Sequence, residues 1–119
     1  MKNWFKISEQ YCPCCKTGKF APELEAKINL AREIAGIPFV VTSGFRCEKH
    51  NKEVGGSANS SHLVGCAVDI STPDNYTRFK VLEGIMKAGF NRIGIAEKYI
   101  HCDIDDFSKP SPIIYLYKK

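Results

Sequence analysis

The sequence contains no apolar run approaching the ~20 residues of a membrane-spanning helix, so no membrane anchor of that kind and no membrane partner are expected. Its first residues, MKNWFKISEQYC, hold no apolar stretch of signal-peptide type. Synthesis in the cytoplasm without a signal peptide is the expectation, with any target outside reached by other means. A stripe of basic residues is also lacking. Lys and Arg number 17 against 13 Asp and Glu, giving a net charge of +4, but they are scattered along the chain. A nucleic-acid surface would cluster them, so no nucleic-acid partner is expected. A mild positive balance does suit an anionic polymer. There is no internal repeat, low-complexity segment or linker, and 119 residues suit one domain with one modest core. Histidine is scarce, with three in the chain.

Cysteine, in contrast, is plentiful: Cys12, Cys14, Cys15, Cys47, Cys66 and Cys102, three of them within CPCC. Six cysteines suit either a disulfide framework or a metal knuckle. The lack of a secretory leader weighs against disulfides. Cys12 and Cys15 have the C-x-x-C spacing of a structural metal knuckle. Cys47 is their evident distant partner. A bridge to Cys47 or a second zinc site would pin the N-terminal segment beside it, and free thiols are the plainer alternative. Cys66 and Cys102 fall at core-facing strand positions and read as small buried apolar residues.

PELEAKINLAREIAG reads as a helix begun by Pro22, with an apolar stripe of Leu24, Ile28, Ala31, Ile34 and Ala35, and stopped by Gly36. IPFVVTSG is β-rich and reads as a strand. CEKHNKEVGG reads as a short helix ended by Gly55 and Gly56, SANSSHLVG as loop, and CAVDIS as a second strand. DNYTRFKVLEGIMKAG reads as a helix with Phe79, Leu82, Ile85 and Met86 on its inner face. RIGIA and YIHCDID form an expected hairpin, and PIIYLYK a last strand. The class is therefore α+β, a small, mainly antiparallel sheet flanked by helices. One domain over residues 1–119 is expected, with the Cys-rich segment 1–21 packed on it.

Side chains alternate faces along a strand. Asp69 then points away from the apolar set Cys66, Val68 and Ile70. Tyr99, His101, Asp103 and Asp105 share a face opposite Ile100, Cys102 and Ile104. His62 stands on the loop seven residues before Asp69, and Gly65 between them allows the tight turn that folds His62 back over it. Two His and one Asp make a catalytic zinc set that leaves a fourth position for water. Unrelated surface or capping histidines are the alternative. His50 lies in the charged stretch EKHNK and reads as a non-ligand; Asp105 and Asp106 read as solvent-exposed turn residues.

SGFRCEKHNKEVGGSANSSHLVGCAVDI followed by YIHCDID resembles the zinc D-Ala-D-Ala carboxypeptidase superfamily, which includes phage endolysin peptidases and the hedgehog signalling domain. The pattern Ser-x-His-x-x-Gly-x-Ala-x-Asp is filled by Ser60, His62, Gly65, Ala67 and Asp69. Ser43, Gly44, Phe45 and Arg46 match an upstream Ser-Gly-aromatic-Arg, and His101 with Asp103 match a late His-x-Asp. The likeness is strong over residues ~38–105. It implies Zn²⁺ held by His62, Asp69 and His101, with Arg46 and Ser60 on the substrate side. It further implies a metallopeptidase, endo- or carboxypeptidase. The substrate would be a peptidoglycan stem peptide, cut at a bond involving a D-amino acid by zinc-activated water. Arg46 could instead serve a structural ion pair, and Ser60 a loop hydrogen bond. A monomer is expected, acting at the cell wall or periplasm and phage-encoded or virion-associated.

The chain departs from the pattern at the general base. Some members carry Glu three residues before the last zinc His, where Lys98 stands, and others His two before it, where Tyr99 stands. Asp103, on the face of His101, is the first candidate base, with Glu97 the second and Tyr99 a possible donor to the oxyanion. A carboxylate that orients a ligand His is the competing role for Asp103. The departure keeps a rival open: a catalytically inactive zinc-containing binding or structural module of the same fold.

Overall fold

A computed structural model describes residues 2–117; Met1, Lys118 and Lys119, at the ends of the expected domain and last strand, lie outside the described residues. Two long helices form where the sequence places them, and the first buries the apolar stripe read from it. Helix α2 spans Pro22–Ala35, with Pro22 in its first turn and Gly36 closing it through a hydrogen bond to the Arg32 carbonyl. Helix α4 spans Asn75–Lys87 and starts at Asp74, whose carboxylate accepts the Thr77 N–H at 2.7 Å. Shorter helices are α1 (Ile7–Gln10) and α3 (Glu48–Glu53). The segment read as loop before the second strand contains a 3-10 turn, Ser61–Val64.

The strands are β1 (Val41–Ser43), β2 (Ala67–Ser71), β3 (Arg92–Ile95), β4 (Tyr99–Asp103) and β5 (Ile113–Leu116). They form one sheet in the order β1-β2-β4-β3-β5. All neighbours are antiparallel except β3 and β5. The fold is thus α+β with a mostly antiparallel five-stranded sheet. One sheet face, with Val68, Ile70, Ile93, Ile100 and Cys102, joins Leu24, Ile28, Val81 and Ile85 of the helices in the core. The register places Asp69 opposite His101 and Ala67 opposite Asp103, with Arg92 on the other flank of Asp103. Period-2 alternation therefore sends the ionisable set to the face away from the helices.

The inner face of α4 differs from expectation. Phe79 and Met86 are exposed, and Val81, Gly84, Ile85 and Ala88 form the buried stripe. The side with the small residue wins because it lets α4 approach α2. A Cβ on Gly84 would stand 2.5 Å from the Ala31 carbonyl oxygen. Cys102 is fully buried as expected, but Cys66 is only half-buried. It precedes β2, so strand alternation does not turn it into the core.

Candidate metal centre

His62 is delivered by the 3-10 turn. Ser60 caps that turn, its hydroxyl accepting the His62 N–H at 3.2 Å. Gly65 closes it at φ 72°, a left-handed conformation that favours glycine. Asp69 comes from β2 and His101 from the facing position of β4. All three are buried. The His62 and His101 rings meet edge to face, 5.3 Å between centroids.

A hydrogen bond fixes the His62 tautomer. His62 Nδ1 lies 2.7 Å from the Gly44 carbonyl oxygen. A carbonyl only accepts, so Nδ1 carries the hydrogen and Nε2 presents a lone pair. His101 lies between two carboxylates, with Nε2 2.7 Å from Asp103 Oδ2 and Nδ1 2.9 Å from Asp69 Oδ1; with its proton on Nε2, the shorter contact, it presents the Nδ1 lone pair to Asp69. Those two lone pairs point at one carboxylate: His62 Nε2 is 3.3 Å and His101 Nδ1 2.9 Å from Asp69 Oδ1. Three acceptors facing one another call for a cation. Tetrahedral zinc with ligands at ~2.0–2.1 Å spaces them about 3.3 Å apart, so the donor set fits. The ligating atoms of His62, Asp69 and His101 all lie within 4.8 Å of one another. Without a metal, burial opposes the charge of Asp69, but a proton taken up by the facing His101 or His62 nitrogen outweighs it and holds the carboxyl well below the usual carboxylate range. Burial lowers the His101 imidazole, while Asp103 and Asp69 raise it more, and it ends above its ordinary value.

Asp103 sits behind His101 rather than across the cleft from it. Besides His101, it accepts Arg92 Nε at 2.8 Å and the Asp105 N–H at 3.0 Å, both on Oδ1. Its side chain is 1% exposed. Asp105, expected in solvent, is instead buried, because Ser61 donates to it at 2.8 Å and Ser108 and Lys109 also reach it. Asp106 is exposed. Glu97 lies on the exposed turn between β3 and β4 and is not among the cleft-lining residues. His50 is half-buried on α3 and takes no part in the cluster.

The cluster floors an open cleft of about 290 Å³. Arg46 forms one wall, its guanidinium held at Nε by Ser43 Oγ (3.0 Å) and at Nη1 by Asn51 Oδ1 (3.3 Å), with Nη2 3.5 Å from Asp69 Oδ2. Asn51, a residue the sequence reading gave no role, is buried and also donates to the Ser57 carbonyl at 2.8 Å. Ser60 lines the same cleft while it caps His62. Tyr99, Tyr115 and Tyr117 make the facing wall, with Lys109 nearby. Gly94 admits the tyrosines, since a Cβ there would stand 2.6 Å from the Tyr115 ring. Tyr115, Tyr117 and Lys109 were missed; the signal for the two tyrosines was the parity of a strand whose neighbour was unknown, and Lys109, on the loop before β5, carried none. Burial raises the Tyr99 phenol, which keeps its proton at neutral pH.

No curated protein matches the chain. A family model described as Peptidase M15 matches residues 4–103, a stretch that holds His62, Asp69, His101, Arg46 and Asp103 and ends before Lys109, Tyr115 and Tyr117. With that match across most of its length, the chain belongs to the peptidase M15 family.

Proposed function

We propose that this protein is a zinc metallopeptidase that cleaves peptidoglycan stem peptides at a bond involving a D-amino acid. The observation carrying the reading is the convergence of the two imidazole lone pairs on Asp69 Oδ1, at 3.3 and 2.9 Å, on the floor of an open cleft. His62 Nε2, Asp69 and His101 Nδ1 would hold the ion. Bound zinc would supply Lewis acidity and a water acidified toward neutral pH.

The remaining steps belong to the chain's own groups. Arg46, its fork fixed by Ser43 and Asn51, binds a substrate carbonyl or carboxylate oxygen. Lys109, 3.5 Å from Asp105, lines the same cleft and is placed to meet a carboxylate of a stem peptide. The protonated Tyr99 hydroxyl donates to the oxygen that gains charge as the carbonyl is attacked. Ser60 holds the turn that aims His62. Asp103 is the first candidate to move the proton; its contact with His101 Nε2 supports instead the competing role of holding that ring and its tautomer. Preference for a D-residue, and action at the cell wall or periplasm as a phage or virion product, rest on the sequence resemblance.

One observation favours a second reading, a zinc-containing binding module. Among the described residues lining the cleft, the carboxylates are Asp69 and Asp103, both engaged, and Lys98 stands where some members of the superfamily carry Glu. The test is digestion of purified peptidoglycan of several wall types, followed by mass spectrometry of the fragments. The proposal expects cleavage that a chelator abolishes and zinc restores. Zinc-loaded protein that binds the fragments intact would establish the second reading.

A further inference from the structure

We propose that Cys12, Cys14, Cys15 and Cys47 form a second, structural metal site of the four-thiolate type suited to zinc, which ties the N-terminal segment to the loop bearing Arg46. The four sulfurs all lie within 4.8 Å of one another. Cys12 to Cys14 is 3.4 Å, Cys12 to Cys47 3.6 Å and Cys14 to Cys47 3.2 Å. Zinc–sulfur bonds of ~2.3 Å put the corners of a tetrahedron about 3.8 Å apart, close to this spacing. A disulfide would join two sulfurs at ~2.05 Å and explain no third thiol beside them. All six cysteines are free.

The local backbone is built for convergence. Cys12 N–H donates to the Thr17 carbonyl and Lys16 N–H to the Cys12 carbonyl, each at 2.7 Å. Lys16 adopts φ 55°, a left-handed conformation unusual for a side-chain-bearing residue, and this closes the turn that returns Cys15 toward Cys12. Cys47 arrives from 35 positions away and accepts the His50 N–H at its sulfur, 3.4 Å. Such N–H···S contacts stabilise a thiolate. Cys12 is buried, Cys47 half-buried, and Cys14 and Cys15 exposed, so the site lies at the surface and is open to metal from solution. Each thiol that ligates gives its proton to solvent, and no oxidant is required.

The site is distinct from the histidine cluster but mechanically joined to it. Cys47 follows Arg46 directly, and the Phe45 N–H donates to the Gln10 carbonyl at 2.8 Å. The same loop supplies Ser43 to Arg46 and the Gly44 carbonyl to His62. Metal at the cysteines therefore holds the strand of chain that orients both groups.

The test counts metal by elemental mass spectrometry in protein purified under reducing conditions, and replaces zinc with cobalt(II). The full chain should carry two metals. The His62→Ala, His101→Ala variant should keep one, together with the sulfur-to-cobalt charge-transfer absorption in the near ultraviolet. The Cys14→Ser, Cys15→Ser variant should lose that absorption and one metal. If this variant fails to fold, the absorption of the unaltered chain decides alone: its absence overturns the proposal. An unchanged metal count in a folded cysteine variant overturns it too, as does a thiol titration of the unfolded, chelated chain that falls two short of six. Because the thiolate band is read without turnover, this proposal can fail while the peptidase reading stands, and the reverse.

Discussion

Replacing Asp103 with Asn separates two jobs a carboxylate could do beside His101. The side chain keeps its shape, and its amide oxygen can still accept Arg92 Nε and the Asp105 N–H, which now bind Oδ1 at 2.8 and 3.0 Å. The atom left facing His101 Nε2 is then an NH2 group, a donor where an acceptor stood. His101 answers by moving its proton to Nδ1, the nitrogen that faces Asp69 and the metal position. Loss of such an outer partner costs about 10- to 100-fold in metal affinity, or about 1.4–2.7 kcal/mol. Removing the side chain altogether would strand buried Arg92, at a cost of ~3–5 kcal/mol, and confound the reading. The assay is zinc competition against a chromophoric chelator at pH 7, in a Cys14→Ser, Cys15→Ser background so that the histidine site alone is read. Circular dichroism checks the fold. Unchanged zinc affinity with lost turnover would refute the argument and return Asp103 to proton transfer.

Gly84→Ala gains ~1 kcal/mol of helix propensity but forces a Cβ to 2.5 Å from the Ala31 oxygen. Overpacking of that kind costs ~1–3 kcal/mol, so the denaturant midpoint should fall; a rise would contradict the α2–α4 packing. Arg46→Lys cannot hold Ser43 and Asn51 in one fork, and kcat/KM on a stem peptide should drop roughly tenfold with zinc content unchanged. The pH dependence has a definite sign. The raised His101 value gives the chelated protein stability that is complete below ~6.5 and lost as pH rises through the higher folded value. Its melting temperature should therefore decline on that side, while zinc affinity climbs over the same range as protons cease to compete. The lowered Asp69 and Asp103 contribute stability present above the usual carboxylate range and lost as pH falls through their depressed values, which acid melting curves will register.

Much of the site was legible because strand parity is a local rule. Asp69 and His101 share a sheet face for the same reason that Val68, Ile70, Ile100 and Cys102 share the other. The motif around His62 named its turn, and Gly65 does sit at positive φ. What stayed hidden depends on partners distant in sequence. Asp103 reads the same whether its oxygens face water or Arg92 and His101, and only the β3–β4 register decides. The inner face of α4 misled because two apolar stripes compete, and the choice depends on how closely Gly84 lets α2 approach. Asp105 lies beyond the end of β4, where Ser61, 44 residues away, turns a surface-looking acid into a buried one. Tyr115 of β5, and Tyr117 just past it, reach the cleft through a parallel pairing with β3 that the sequence does not announce.

The most direct test of the central claim is anomalous diffraction at the zinc edge from crystals of the zinc-loaded protein. The account predicts a peak ~2.0–2.2 Å from His62 Nε2, an Asp69 carboxylate oxygen and His101 Nδ1, with a fourth position open to the cleft. A peak at the other ring nitrogen of either histidine, or none among the three residues, would contradict it.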